Sequence, residues 1–156
     1  MQTKLLYRQD DGRHEDGRPT GARTIAVVFD PGDEVMKGLE TVAKQESLTG
    51  AHFTAIGALR SVTLGFFDLG RRDYRRIVVE EQCEVVSLVG NVALDGDAPK
   101  IHAHAVVGLG DGATRGGHLL EGWVQPTLEV VIVETPRHLQ RTPDPATGLP
   151  LLDLKR

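Results

Sequence analysis

Helical periodicity occurs in a single stretch of this 156-residue chain, and that restricts the fold more than any other feature. Val35, Leu39, Val42 and Ala43 recur at i, i+4, i+7 and i+8, the apolar stripe of an amphipathic helix. The pattern predicts a helix from residue 33 to about residue 46, capped by Asp30 or Asp33 and ended by the glycine signal at Thr49 and Gly50. Before it, residues 4–8 and the β-branched run 24–29 read as strands, separated by an exposed loop at 9–21 rich in Asp, Gly and Arg. After it, residues 51–59, 62–69, 75–81, 83–94, 100–107, 118–124 and 128–134 all fit strands bounded by turn residues. Gly70-Arg71-Arg72-Asp73 and Asp95-Gly96-Asp97 read as hairpin connections. Residues 137–150 read as irregular, and Leu151, Leu152 and Leu154 add a last short strand. One helix against many sequential strands predicts an α+β fold with a mixed, largely antiparallel β-sheet.

Composition narrows the function classes. Lysine plus arginine number 18 and aspartate plus glutamate 22, so the formal net charge is 18 − 22 = −4. Such a chain lacks the positive field that drives non-specific nucleic-acid binding. Cys83 is the sole cysteine, which excludes an intrachain disulfide and the cysteine-rich zinc motifs. The N-terminal residues hold no apolar stretch resembling a signal-peptide core, and no apolar run is long enough to span a bilayer. The expectation is a soluble, cytoplasmic protein with no membrane partner.

Chemistry concentrates in IHAHAVVGLGDGATRGGHLLEG, residues 101–122, which holds three of the six histidines. Residues i and i+2 of a strand share a face, so His102 and His104 present two imidazoles side by side. A hairpin return brings His118 opposite them. Three neutral nitrogen ligands with an open fourth position form the pattern of a catalytic rather than a structural zinc site. The alternative is that these are ordinary surface or hydrogen-bonded strand histidines. Ile101, Ala103, Ala105 and Val107 bury the opposite face, so two imidazoles on a partly buried strand cost desolvation unless something satisfies them. Protons compete for imidazoles of reference pKa about 6.5, so metal binding is expected to weaken below about pH 6.

These motifs resemble the plants-and-prokaryotes-conserved (PPC) domain. The resemblance runs through Ser87, Gly90-Asn91, His102-Ala103-His104, Gly116-Gly117-His118-Leu119-Leu120-Glu121-Gly122 and the strand from Pro126 to Val131. Upstream, Pro31-Gly32, the helix and AHFTAIGALRSVTLGFFD also fit, so roughly residues 23 to 139 are covered. It implies a compact α+β domain that assembles as a homotrimer, and bacterial members that hold zinc through the motif histidines, here His102, His104 and His118. The same general fold is shared by acetolactate decarboxylase-like proteins, which also hold a catalytic metal through an H-x-H and a later histidine. The chain then divides into an N-terminal strand and loop at 1–22, the domain at 23–140, and a tail with a short strand at 141–156.

Three functions follow as expectations. In the first, an open zinc site binds or converts a small molecule, polarising a substrate carbonyl or acidifying a water. Glu129 would serve as acid, base or extra ligand and Arg60 as an anion anchor, and whether the site is an enzyme's stays open. In the second, the protein is a DNA-associated regulator. Gly17-Arg18-Pro19 faintly echoes the AT-hook of plant relatives, but Glu15 and Asp16 repel phosphate, so DNA is expected to bind weakly or not at all. In the third, the domain is a trimeric interaction module and the metal is structural. Trp123 reads as a core or subunit-interface anchor. Arg71, Arg72, Arg75 and Arg76 read as a solvated turn that blunts a sheet edge, with an anion or partner site as the alternative.

Overall fold

The computed structural model describes residues 1–8, 23–135 and 137–155. In chain order the elements are β1 (Gln2–Arg8), β2 (Arg23–Phe29), α1 (Val35–Gln45), β3 (Gly50–Asp68), β4 (Asp73–Val79), β5 (Cys83–Asp95), β6 (Ala98–Gly108), β7 (Thr114–Glu134), β8 (Gln140–Pro143) and β9 (Pro150–Asp153). The α+β class with one helix is as expected from the sequence. Every strand pairing is antiparallel except β5 with β8. β3 pairs β5, β5 pairs β6, β6 pairs β7 and β7 pairs β3, so these four strands close on themselves. No helix among the described residues is long and apolar enough to cross a membrane.

Two pairs of expected strands are in fact single long ones. The segments at 51–59 and 62–69 fuse into β3, and those at 118–124 and 128–134 fuse into β7. The breaks suggested by Arg60-Ser61 and Gln125-Pro126-Thr127 are bulges in a bent ladder. Gly57 pairs Leu128 while Leu59 pairs Val124, so residues 125–127 of β7 lie opposite a single residue of β3. Pro126, which follows a cis peptide bond, sits in this unpaired interval, where its missing N–H costs no ladder hydrogen bond. Gly57 has φ +148°, and a Cβ there would collide with the Thr127 carbonyl oxygen, so the bend demands glycine.

The helix starts later than expected and is capped by a different residue. Glu34, not Asp30 or Asp33, is the N-cap, accepting from the amides of Met36 at 3.2 Å and Lys37 at 2.8 Å. The Asp33 carboxylate is already engaged, accepting from the Asp30 amide at 2.9 Å and pairing with the N-terminal amine at 3.0 Å. Val35, Leu39, Val42 and Ala43 are buried with Phe29, Phe53, Leu128 and Ile132 in one core. Arg23 ties β2 to β7 and to the end of α1: it donates to Glu134 at 2.6 and 3.0 Å and to the Glu46 carboxylate at 3.1 Å. Residues 137–150 are not wholly irregular, because Gln140 and Arg141 extend the free end of β5 and β8 pairs with β9.

The other sheet face is left open. Paired residues on neighbouring strands point the same way, which puts Val131, Thr54, Val89 and His104 in one row and Val133, His52, Asn91 and His102 in the next. Val28, Ile56, Val89, Val106 and Val131 are exposed on it, Ile56 by 62%. The loop at 9–21 with Gly17-Arg18-Pro19 lies outside the described residues.

Candidate metal centre

The H-x-H strand and the Gly-Gly-His return meet as the spacing predicts. His102 and His104 are alternate residues of β6, and His118 of β7 is paired directly with His104. One ligand atom from each of the three lies within 4.8 Å of the others. The Nε2 atoms of His102 and His104 are 3.2 Å apart, against about 3.3–3.4 Å for two ligands 2.0–2.1 Å from a tetrahedral zinc. The Nδ1 of His118 is buried and has no hydrogen-bond partner. No carboxylate or lysine is hydrogen-bonded to any of the three rings among the described residues. The donor set therefore fits a divalent transition metal.

Burial prepares His102 and His118 as ligands. Desolvation lowers the pKa of His118 to about 4, with His102 and His104 adding to the effect. It also lowers that of His102, helped by Arg141 and His104. Both are thus neutral at physiological pH, with lone pairs available. For these two rings, proton competition moves to more acidic pH than the reference value of about 6.5 implies.

The neighbours of His118 explain why glycine faces it. The Tyr74 ring of β4 stacks on the imidazole, centroids 4.7 Å apart and planes at 26°. Phe67 holds Tyr74 edge-on at 5.1 Å. Tyr74 needs the space over Gly65, the residue paired with His118, since a Cβ there would stand 2.7 Å from Tyr74 Cδ1. Tyr74 is a site residue that the sequence reading missed, because only the β3–β4 register brings it to the histidines.

A cavity of about 250 Å³ opens beside the rings, lined in part by Tyr74, Lys100, His102, His118, Arg141 and Leu151. Arg60 and Glu129 do not line it. The Arg60 guanidinium lies 5.2 Å from the centre of the Trp123 ring. Glu129 is exposed on the open sheet face, paired with Val28 on one side and Ile56 on the other. One chain alone therefore brings neither of these candidates to the triad. Trp123 is not a core residue: it is half-buried, donates to Glu121 Oε1 at 3.2 Å, and has Lys37 as well as Arg60 near its ring. The four arginines do flank the β3–β4 hairpin, exposed, with Arg75 over Phe66 at 5.1 Å. Cys83 is buried, and burial followed by the charges of Glu81 and Glu84 raises its thiol pKa, which leaves it a poor nucleophile.

Comparison with known proteins agrees with this architecture. The Plants and Prokaryotes Conserved (PCC) domain matches residues 17–136. A candidate DNA-binding protein from Bacteroides thetaiotaomicron superposes with a TM-score of 0.82 at 28% identity, covering 85% of this chain and 93% of that one. A plant- and prokaryote-conserved protein from Pyrococcus horikoshii gives 0.79 at 31% identity, covering 84% and 91%. A metal-containing protein from Archaeoglobus fulgidus gives 0.77 at 31% identity, covering 83% and 91%. Among curated proteins, the bifunctional protein GlmU of a Synechococcus strain is 34% identical over 134 residues, 83% of this chain; the match spans only 20% of that relative's length.

Proposed function

The chain belongs to the Plants and Prokaryotes Conserved domain family, and from that premise we propose that it binds one divalent metal per chain, zinc, at an open site that takes a small molecule. The observation that carries this is the convergence of His102, His104 and His118 beside a cavity rather than in a closed shell. The metal-containing neighbour from Archaeoglobus fulgidus supports it. Bound zinc would supply a Lewis-acid position for a ligand oxygen. The chain's own residues do the rest. Tyr74 fixes the His118 ring, burial keeps His102 and His118 unprotonated, and the cavity limits the ligand to small molecules.

The working form on this reading is a homotrimer. The exposed apolar face carrying Val28, Ile56, Val89, Val106 and Val131 supports it, because a monomer would leave that surface in water. Glu129 stands on the same face, so its role as acid, base or extra ligand is proposed for a neighbouring copy's site, not for its own. DNA is the second reading, favoured by the name of the Bacteroides neighbour. The net charge of −4 weighs against it.

Metal analysis of the purified protein, with and without chelation, combined with light scattering, tests the main reading. One zinc per chain, lost in His118→Ala, and a mass near 3 × 17.0 kDa are expected. A chain that takes up no divalent metal refutes the site. A mass of 17.0 kDa at all dilutions refutes the trimer. Dissociation on chelation would make the metal architectural.

A further inference from the structure

The β8–β9 pair lies beyond residue 136, where the family match ends, and it delivers Arg141 to the wall of the cavity. Arg141 is 6% exposed and is the one charged side chain among the described residues that is buried. Its Nη1 donates to the Pro150 carbonyl oxygen at 3.0 Å and its Nη2 to Asn91 Oδ1, while its Nε–H is buried with no partner. Asn91 is the strand neighbour of His102, so the contact pins the guanidinium beside the metal centre. Asp95, the acid in register with Arg141, is taken by Lys100 at 2.9 Å. Among the described residues no carboxylate forms an ion pair with Arg141. Asp95 acts on Arg141 only from beyond ion-pair distance, and a buried cation without a paired anion is costly unless a further anion completes it.

We propose that the cavity binds a small monocarboxylate, its carboxylate on the Arg141 guanidinium and its other end over the trihistidine site. Arg141 lines the cavity, and an Nη–H not used by Pro150 or Asn91 would donate to a carboxylate oxygen in a charge-assisted pair. Among the described residues the wall beside Arg141 includes Ile101, Leu149 and Leu151, which offer no side-chain donor to the further oxygens of a phosphate, and that favours a carboxylate. Ile101, Leu149 and Leu151 suit a short aliphatic chain. A carboxylate also offsets part of the charge that Arg141 and a bound divalent cation would otherwise leave side by side. The contact over the histidines rests on the proposed metal site; the contact with Arg141 does not.

The test is calorimetric titration of the zinc-loaded protein with butyrate and, separately, with inorganic phosphate. Saturable binding of butyrate, one per chain, is expected, with weaker binding of phosphate. Arg141→Gln should weaken butyrate roughly 10-fold or more, as loss of a charge-assisted pair implies, and Arg141→Lys should fall between. Circular dichroism checks the fold of each variant. Should Arg141→Gln fail to fold, Leu151→Trp, at a half-exposed wall position, should obstruct butyrate while leaving the guanidinium in place. Butyrate bound equally by wild type and all three variants overturns the proposal, as does tighter binding of phosphate. Zinc content measured on the same samples separates the two readings. Zinc without butyrate binding defeats this inference and spares the metal site; Arg141-dependent butyrate binding without zinc does the reverse.

Discussion

Acidification of the metal-free protein gives the sharpest check on the site. His118 is held neutral by burial, its pKa lowered from 6.5 to about 4. Between those two values the unfolded chain carries a proton at this position that the folded chain does not. Unfolding therefore takes up a proton there, and stability must fall as the pH drops from 6.5 towards 4. The ceiling is about 3.4 kcal/mol, at about 1.36 kcal/mol per pH unit over the interval. The imidazole is only half-buried, so solvent screening brings the expected loss to about 2 kcal/mol. For a chain of this length that corresponds to a fall in Tm of roughly 4–8 °C. Thermal melts of chelated protein at fixed concentration, at half-unit steps from pH 7 to pH 4, measure it. Carboxylates also titrate at the lower end, so the decisive quantity is the difference from His118→Gln, which cannot take up the proton. Wild type should lose about 2 kcal/mol more than the variant across the interval. Parallel curves would refute the assignment of a neutral, desolvated ring.

Other perturbations probe other parts of the molecule. Gly65→Ala should displace the Tyr74 ring from His118 and weaken zinc about 10-fold, as loss of an outer-shell contact does; an unchanged zinc affinity by competition with a chromophoric chelator would show that the stacking is incidental. Arg23→Ala strands Glu134 and Glu46 and should cost about 3 kcal/mol, a Tm fall of roughly 6–12 °C; a calorimetric change within a degree or so would show the network to be solvated. Glu34→Ala removes the cap of α1 and the acceptor for the Gly122 amide, which should cost about 1–2 kcal/mol in chemical denaturation, with Glu34→Gln nearer to wild type. Duplex DNA, AT-rich or mixed, should show no submicromolar binding by anisotropy at physiological salt. Binding at that level, abolished when Arg71, Arg72, Arg75 and Arg76 become alanine, would put the regulator reading first.

The sequence carried the local parts of this picture. The i, i+4 recurrence of Val35 and Leu39 located α1, and the one-residue spacing of His102 and His104 placed both rings on one face, since both depend only on backbone period. What depends on pairing between distant segments was not legible. Pro126 read as a break between two strands because its unpaired interval exists only opposite Ala58, between the Gly57 and Leu59 pairings. Tyr74 fell between the expected hairpin at 70–73 and the expected strand at 75–81, and its contact with His118 arises from two separate registers meeting at Gly65. Arg141 lay in a segment that proline and glycine made look irregular; the free end of β5 that receives it is a property of the sheet. Conversely, Arg60 looked available as an anchor because a sequence does not show that its charge lies over Trp123.

The direct pairing of His104 with His118 has a kinetic consequence. Side chains alternate along a strand, so a slip of one residue between β6 and β7 would turn His118 towards the core and present Gly117 or Leu119 in its place. The same ladder is one of the four that close the strand ring, joining residues near 104 to a strand that also pairs with residue 51. On the proposed metal reading, capture of the ion therefore requires that ladder in correct register. A fluorescent or cobalt probe added during refolding would serve as a clock for that closure, and misregistered chains, however compact, would stay dark to it.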